Sequence, residues 1–229
     1  MPRLGKFVPT LLAILVLSVA AGPTYAGVVQ LTAPAQLNPG DFTSIYPQAP
    51  GTNLLSPYVQ VDPGNTLTFT ETGSFRVLVQ GGGVVGTSWF GNFPNGMKVL
   101  YTGNAFSGQG SGPVTITFSN PVTELGLLFQ NNNLGSTTNS FSVFNGALLL
   151  GTFSGTQQGS NVLFLGAAAT GGDLITRIVI TGLNNDFAIG PVTYGNTTVP
   201  EPVTLFLFGT GMAGMGLAKR FKTRKLRQD

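Results

Sequence analysis

From Leu67 onward, apolar side chains recur at every second position, a period that suits strands with one face on a core. Leu67 and Phe69 point one way, and Thr66, Thr68 and Thr70 point the other. Val114, Ile116 and Phe118 alternate with Thr115 and Thr117, and Leu125, Leu127 and Phe129 alternate with Glu124, Gly126 and Leu128. These Val, Ile, Phe and Thr side chains fit a pleated, half-buried surface. Upstream, Pro34, Pro39, Pro47, Pro50, Pro57 and Pro63 break any helix in 31–63 and leave loops and short edge strands. Further strands are predicted over Phe75–Gln80, Lys98–Thr102, Val162–Leu165, Thr176–Thr181 and Phe187–Tyr194. Asn145-Gly146, between Ser140–Phe144 and Ala147–Phe153, predicts a hairpin whose two central residues are the Asn and the Gly of a type I′ turn. Pro63-Gly64, Asn95-Gly96 and Gly171-Gly172-Asp173 mark further turns. Many short strands between turn signals predict an all-β fold for 27–199, an antiparallel sandwich or jelly roll.

The two ends read differently. Arg3 and Lys6 precede an apolar run from Leu11 to Ala21, and Thr24-Tyr25-Ala26 places small residues where a signal peptidase reads them. Residues 1–26 are therefore expected to be a secretory signal peptide, cleaved after Ala26. The chain as a whole carries +3, a balance that could point to nucleic acid. Most of that charge is terminal. Residues 27–199 hold three cations (Arg76, Lys98, Arg177) against six acids (Asp41, Asp62, Glu71, Glu124, Asp173, Asp186), a net charge of −3. Nothing there clusters Lys and Arg as phosphate neutralisation requires, so a nucleic-acid partner is excluded. The chain has no Cys, so its core must stabilise it without disulfides.

The last thirty residues have three parts. Pro200, Glu201 and Pro202 form a stiff, extended tripeptide. Val203 to Ala218 is an apolar run, which as a helix reaches about 24 Å, a short span of the hydrocarbon core. Lys219, Arg220, Lys222, Arg224, Lys225 and Arg227 form a basic tail over 219–229 that acts as a membrane stop and holds the C-terminus in the cytoplasm. The order and adjacency of these parts resemble the PEP-CTERM sorting signal of Gram-negative bacteria. That resemblance implies export across the inner membrane, a transient anchor there through a short C-terminal transmembrane helix, and processing near 200–202 by an exosortase. Release or attachment at the cell surface then follows, in association with extracellular polysaccharide and biofilm. The segments Gly112–Phe118, Ser140–Phe153 and Asn185–Gly190 also resemble the β-sandwich bodies often found ahead of this signal. Those bodies usually open the last strand with two acidic residues, where this chain has Asn185-Asp186.

Tests for chemistry return little. Without His or Cys there is no Ser-His-Asp or thiol nucleophile and no transition-metal site of the usual kind. No pair of the six carboxylates falls in a hydrolase motif, and they read as surface or turn residues. Asp186 and Asp173, with Asn184 and Asn185, offer hard oxygen ligands for a calcium ion. Trp89, Phe93 and Tyr101, with Phe90, form the densest aromatic patch, either packed in a core or exposed to stack on sugar rings. The expectation is a non-enzymatic exported protein of the cell surface or exopolysaccharide matrix. A carbohydrate-binding module built on Trp89 is the alternative, and a polysaccharide hydrolase or lyase is a remote one.

Overall fold

A computed structural model describes residues 27–103, 110–132 and 135–195. The expected signal peptide, the 200–202 tripeptide, the 203–218 apolar run and the 219–229 basic tail lie outside the described residues. The described residues form fifteen strands: β1 (Gly27–Leu31), β2 (Phe42–Ser44), β3 (Asn53–Leu55), β4 (Tyr58–Asp62), β5 (Asn65–Thr70), β6 (Ser74–Gln80), β7 (Ser88–Trp89), β8 (Lys98–Tyr101), β9 (Val114–Val122), β10 (Glu124–Asn131), β11 (Thr137–Asn145), β12 (Leu148–Gln157), β13 (Leu163–Thr170), β14 (Ile175–Thr181) and β15 (Phe187–Gly195). Two short 3-10 turns, Pro34–Gln36 and Leu183–Asn185, are the helical elements among the described residues. No helix there is long and apolar enough to cross a membrane.

The strands form two sheets. One runs β12-β11-β14-β9-β5-β4. The other runs β1-β13-β10-β15-β8-β6-β3, with β2 beside the end of β15 and β7 beside β6. Pairing is antiparallel throughout except for the short β6–β7 contact. The sheets share one core. Leu67, Phe69, Ile116, Phe141 and Ile178 of the six-stranded sheet pack with Val77, Leu100, Leu127, Phe129 and Ile189 of the other. The predicted alternation holds in β5 and β9, where the apolar set is buried and the Thr set faces outward.

The hairpin at 145–146 forms one residue later than expected. Asn145 pairs with Leu148, so the loop residues are Gly146 and Ala147. Gly146 has φ +57, while Asn145 is not left-handed. A glycine at the first loop position suits a type II′ turn, and the register slip between Val143 and Phe144 absorbs the offset. The Gly146 N–H donates to Thr176 Oγ1 at 2.7 Å, tying the turn to β14.

In β15 the inward set changes parity, from Phe187 and Ile189 to Val192 and Tyr194. A register shift against β10 at Gly190-Pro191 makes this possible. The Tyr46 hydroxyl donates to the Gly190 carbonyl at 3.0 Å and satisfies it at the bulge.

The larger sheet departs most from the sequence reading. Alternation in β10 predicts one solvent face, yet both faces are covered. Glu124 accepts from the Asn38 side chain. Gly126 lies under the Phe164 ring and Leu37, which leave no room for a Cβ. Leu128 packs on a second apolar cluster, and Gln130 accepts from Trp89. Segments 31–41 and 81–97 fold back over the outer face of this sheet and close it off.

Candidate functional site

The second cluster comprises Leu78, Trp89, Phe93, Val99, Tyr101 and Ala188, backed by Met97, Leu128 and Val162. Trp89 and Tyr101 rings lie 5.5 Å apart, and Trp89 and Phe93 rings 6.4 Å apart near edge-to-face. Each of the three residues is at most 5% exposed. The indole N–H donates to Gln130 Oε1 at 2.7 Å, and the same oxygen accepts from the Asn92 N–H at 3.1 Å. Gln130 in turn donates to the Ser160 carbonyl. Trp89, Phe93 and Tyr101 therefore do not form the exposed sugar-stacking platform that one sequence reading allowed. They are the second core that holds segment 81–97 on the sheet, with the polar atom of Trp89 satisfied internally. Phe90, which faces away, is 70% exposed.

Tyr101 has a polar end as well, and it leads to Asp186. Its hydroxyl donates to Asp186 Oδ1 at 2.8 Å, and Asn132 Nδ2 donates to Asp186 Oδ2 at 3.2 Å. Burial and the neighbouring Asp186 push the Tyr101 phenol well above its ordinary range. The backbone around Asp186 is held from several sides. Asn184 and Asn185 have φ +53 and +56, a left-handed pair that Asn tolerates better than most residues. The Leu183 N–H donates to Asn131 Oδ1 at 3.0 Å, and the Asn132 N–H donates to the Asp186 carbonyl at 2.9 Å. Thr102 Oγ1 donates to the Asn185 carbonyl at 2.7 Å and accepts from the Phe187 N–H at 3.2 Å. Asn185 is thus held in this corner through its backbone carbonyl and its left-handed φ.

Asp173 does not join Asp186. The two flank β14 at opposite ends, and seven strand residues set them about 20 Å apart, too far to share an ion. Among the described residues no group of three or more His, Cys, Asp or Glu side chains is arranged to hold a metal.

The expectation that the carboxylates are surface or turn groups also needs correction. Asp62, Glu71 and Glu124 are buried. Asp62 accepts from Gln60 Nε2 and from the Tyr194 hydroxyl, both at 3.1 Å, inside the sandwich. Glu124 and Asp41 approach each other beside Gly195. Burial, then the Glu124 charge, pushes the Asp41 carboxyl up to about 6. Glu71 lies in the β5–β6 turn, and burial pushes its carboxyl up to about 7. The sequence reading passed over Glu71 as a site residue, since an acid between Thr70 and Thr72-Gly73 looks like any solvated turn residue.

The PEP-CTERM protein-sorting motif family matches residues 198–220. The chain carries a PEP-CTERM sorting signal. The match takes in the 200–202 tripeptide, the whole apolar run, Lys219 and Arg220. This PEP-CTERM protein is therefore one targeted for export and membrane-associated sorting, with an exosortase as its processing enzyme. No curated protein matches the chain.

Proposed function

We propose that this PEP-CTERM protein is a non-enzymatic component of the cell surface or exopolysaccharide matrix, released from the inner membrane when an exosortase processes it near Pro200-Glu201-Pro202. The match over 198–220 carries this reading. The body supports it in two ways. Three of its ionisable side chains serve structural contacts: Asp62 with Tyr194, Arg76 with Asn53 and the Gly86 carbonyl, and Arg177 over the Phe144 ring at 4.0 Å. The outward face of the six-stranded sheet also carries many Thr and Ser, beside the exposed Val59 and Val61, and Arg177 is its one charge among the described residues. Thr68 lies opposite Thr117, Thr70 opposite Thr115, and the hydroxyls of Ser142 and Thr152 are 2.9 Å apart. A neutral, hydroxyl-rich face suits prolonged contact with hydrated neutral polysaccharide better than with a charged polymer.

The test replaces Pro200-Glu201-Pro202 by Ala-Ala-Ala in the producing cell, followed by fractionation and intact-mass measurement. The expected result is full-length protein held in the membrane fraction, against a wild type that is released and lacks the basic tail. Unchanged localisation, or secreted wild type that keeps residues 219–229, would refute the sorting half. For the matrix half, mature protein is expected to co-sediment with the cells' extracellular polysaccharide. Thr68→Glu/Thr117→Glu should weaken that retention, whereas Phe90→Ala should leave it unchanged.

A further inference from the structure

β12 is an unguarded edge. It ends the six-stranded sheet and, among the described residues, pairs with β11 alone. In an antiparallel ladder each residue turns its N–H and its C=O to the same side. About half of the ten residues of β12 therefore aim both groups away from the sheet. Natural folds blunt such edges with shortness, proline or charge. The other sheet ends are blunted in these ways. β3 has three residues, β1 has five, and β4 runs for five between Pro57 and Pro63. β12 is twice as long as β1 or β4 and holds neither proline nor charge.

The core is also least closed on this side. Six half-buried apolar residues pack on the main core. Val28, Leu150, Phe153, Leu163 and Ala169 belong to β1, β12 and β13, and Leu54 alone lies elsewhere. β12 leans on the larger sheet here: a Cβ at Gly151 would meet Val28 at 2.8 Å, and one at Gly155 would meet Leu163 at 2.9 Å. Its core side is thus in place, while its in-plane edge stays open. The outward Thr152, Ser154 and Thr156 are exposed.

We infer that β12 is a self-association edge, on which a second copy of this chain pairs its own β12 antiparallel about a two-fold axis. Charge selects the occupant. A two-fold contact sets each side chain near its own copy, so a charged edge repels itself. β1, β11, β12 and β13 contain no charged residue, so this side of the molecule tolerates its own image. The same neutrality offers nothing to steer a charged partner. The extent fits as well. Five residues from each strand supply about ten main-chain hydrogen bonds, the number a standard protein interface carries. The pairing joins two six-stranded sheets into one and shields the half-buried Leu150 and Phe153 from water.

The full-length protein in mild detergent tests this by analytical ultracentrifugation over a concentration series. A reversible dimer is expected. Thr152→Lys/Ser154→Lys places like charges across the new strand pair at two exposed positions. It should keep the wild-type circular dichroism and weaken the dimer by about tenfold or more. Thr117→Lys, outward on the interior strand β9, should leave the dimer intact. Because the chain has no Cys, single thiols report the contact without any loss of fold. A short bismaleimide should cross-link Thr152→Cys or Ser154→Cys to a dimer and leave Val61→Cys, on the opposite edge of the same sheet, monomeric. A monomeric wild type, a dimer that survives Thr152→Lys/Ser154→Lys, or cross-linking at Val61→Cys as efficient as on β12 would overturn the inference.

Discussion

The two sheets are built from similar alternating strands, but only one of them keeps a solvent face. In the six-stranded sheet the outward positions of β5, β9 and β11 are mostly Thr and Ser, left part-exposed or exposed. In the larger sheet the outward positions of β10 are Glu124, Gly126, Leu128 and Gln130, and protein covers every one. The difference lies in what the loops do. Segment 81–97 carries Trp89 and Phe93 onto the outer face, and segment 31–41 brings Leu37 and Asn38 to its other end. A chain without disulfides gains a second apolar layer in this way. That layer has a cost, since it encloses the carboxylate of Glu124.

This contrast can be broken most directly at Trp89. If its ring is core, Trp89→Ala should cost about 3–5 kcal/mol, a large part of the stability of a domain this size. A surface ring would cost within about 0.5 kcal/mol. Urea unfolding followed by far-ultraviolet circular dichroism separates the two outcomes.

Glu71 gives the next largest effect, and its sign is fixed. Its folded carboxyl titrates near 7, above the ordinary 4.5, so the folded chain holds a proton that the unfolded chain releases in that interval. Stability should therefore fall as pH rises from about 4.5 to 7, and the penalty should be absent below that window. Allowing for partial solvent screening, the loss is about 2 kcal/mol, and Glu71→Gln should remove it. Asp41, pushed up to about 6, adds a slope of the same sign to both proteins. A wild type whose urea midpoint rises across this window would contradict the burial of Glu71.

The smallest effect belongs to the open sheet. Thr117→Val changes an outward position of β9 beside Thr68 and should shift stability by no more than about 0.5 kcal/mol. A larger loss would mean that this face, too, is covered.

Much of this contrast was hidden in the sequence for identifiable reasons. Leu67, Phe69, Val114, Ile116 and Phe118 were readable as core because their strands have one wet face, and period two then reports burial directly. The same pattern in β10 misled, because alternation separates two faces and does not say what lies against the second. Trp89 was open between core and surface for the same reason. Asp186 stood out by position, but its partners Tyr101 and Asn132 come from distant segments of the chain. The shift of the hairpin to Gly146-Ala147 followed from a bulge in β11 that no dipeptide rule contains.

Local chemistry therefore determined the strands, most of the turns, the neutral Thr-rich exterior, the lack of thiol and imidazole chemistry, and the C-terminal sorting signal. Each of these depends on residue type and short spacing. Tertiary structure alone decided that loops roof the larger sheet, that Trp89 is core, that Tyr101 reaches Asp186, and that Glu71 is buried. Those contacts join residues far apart along the chain, and sequence periodicity carries no information about such distances.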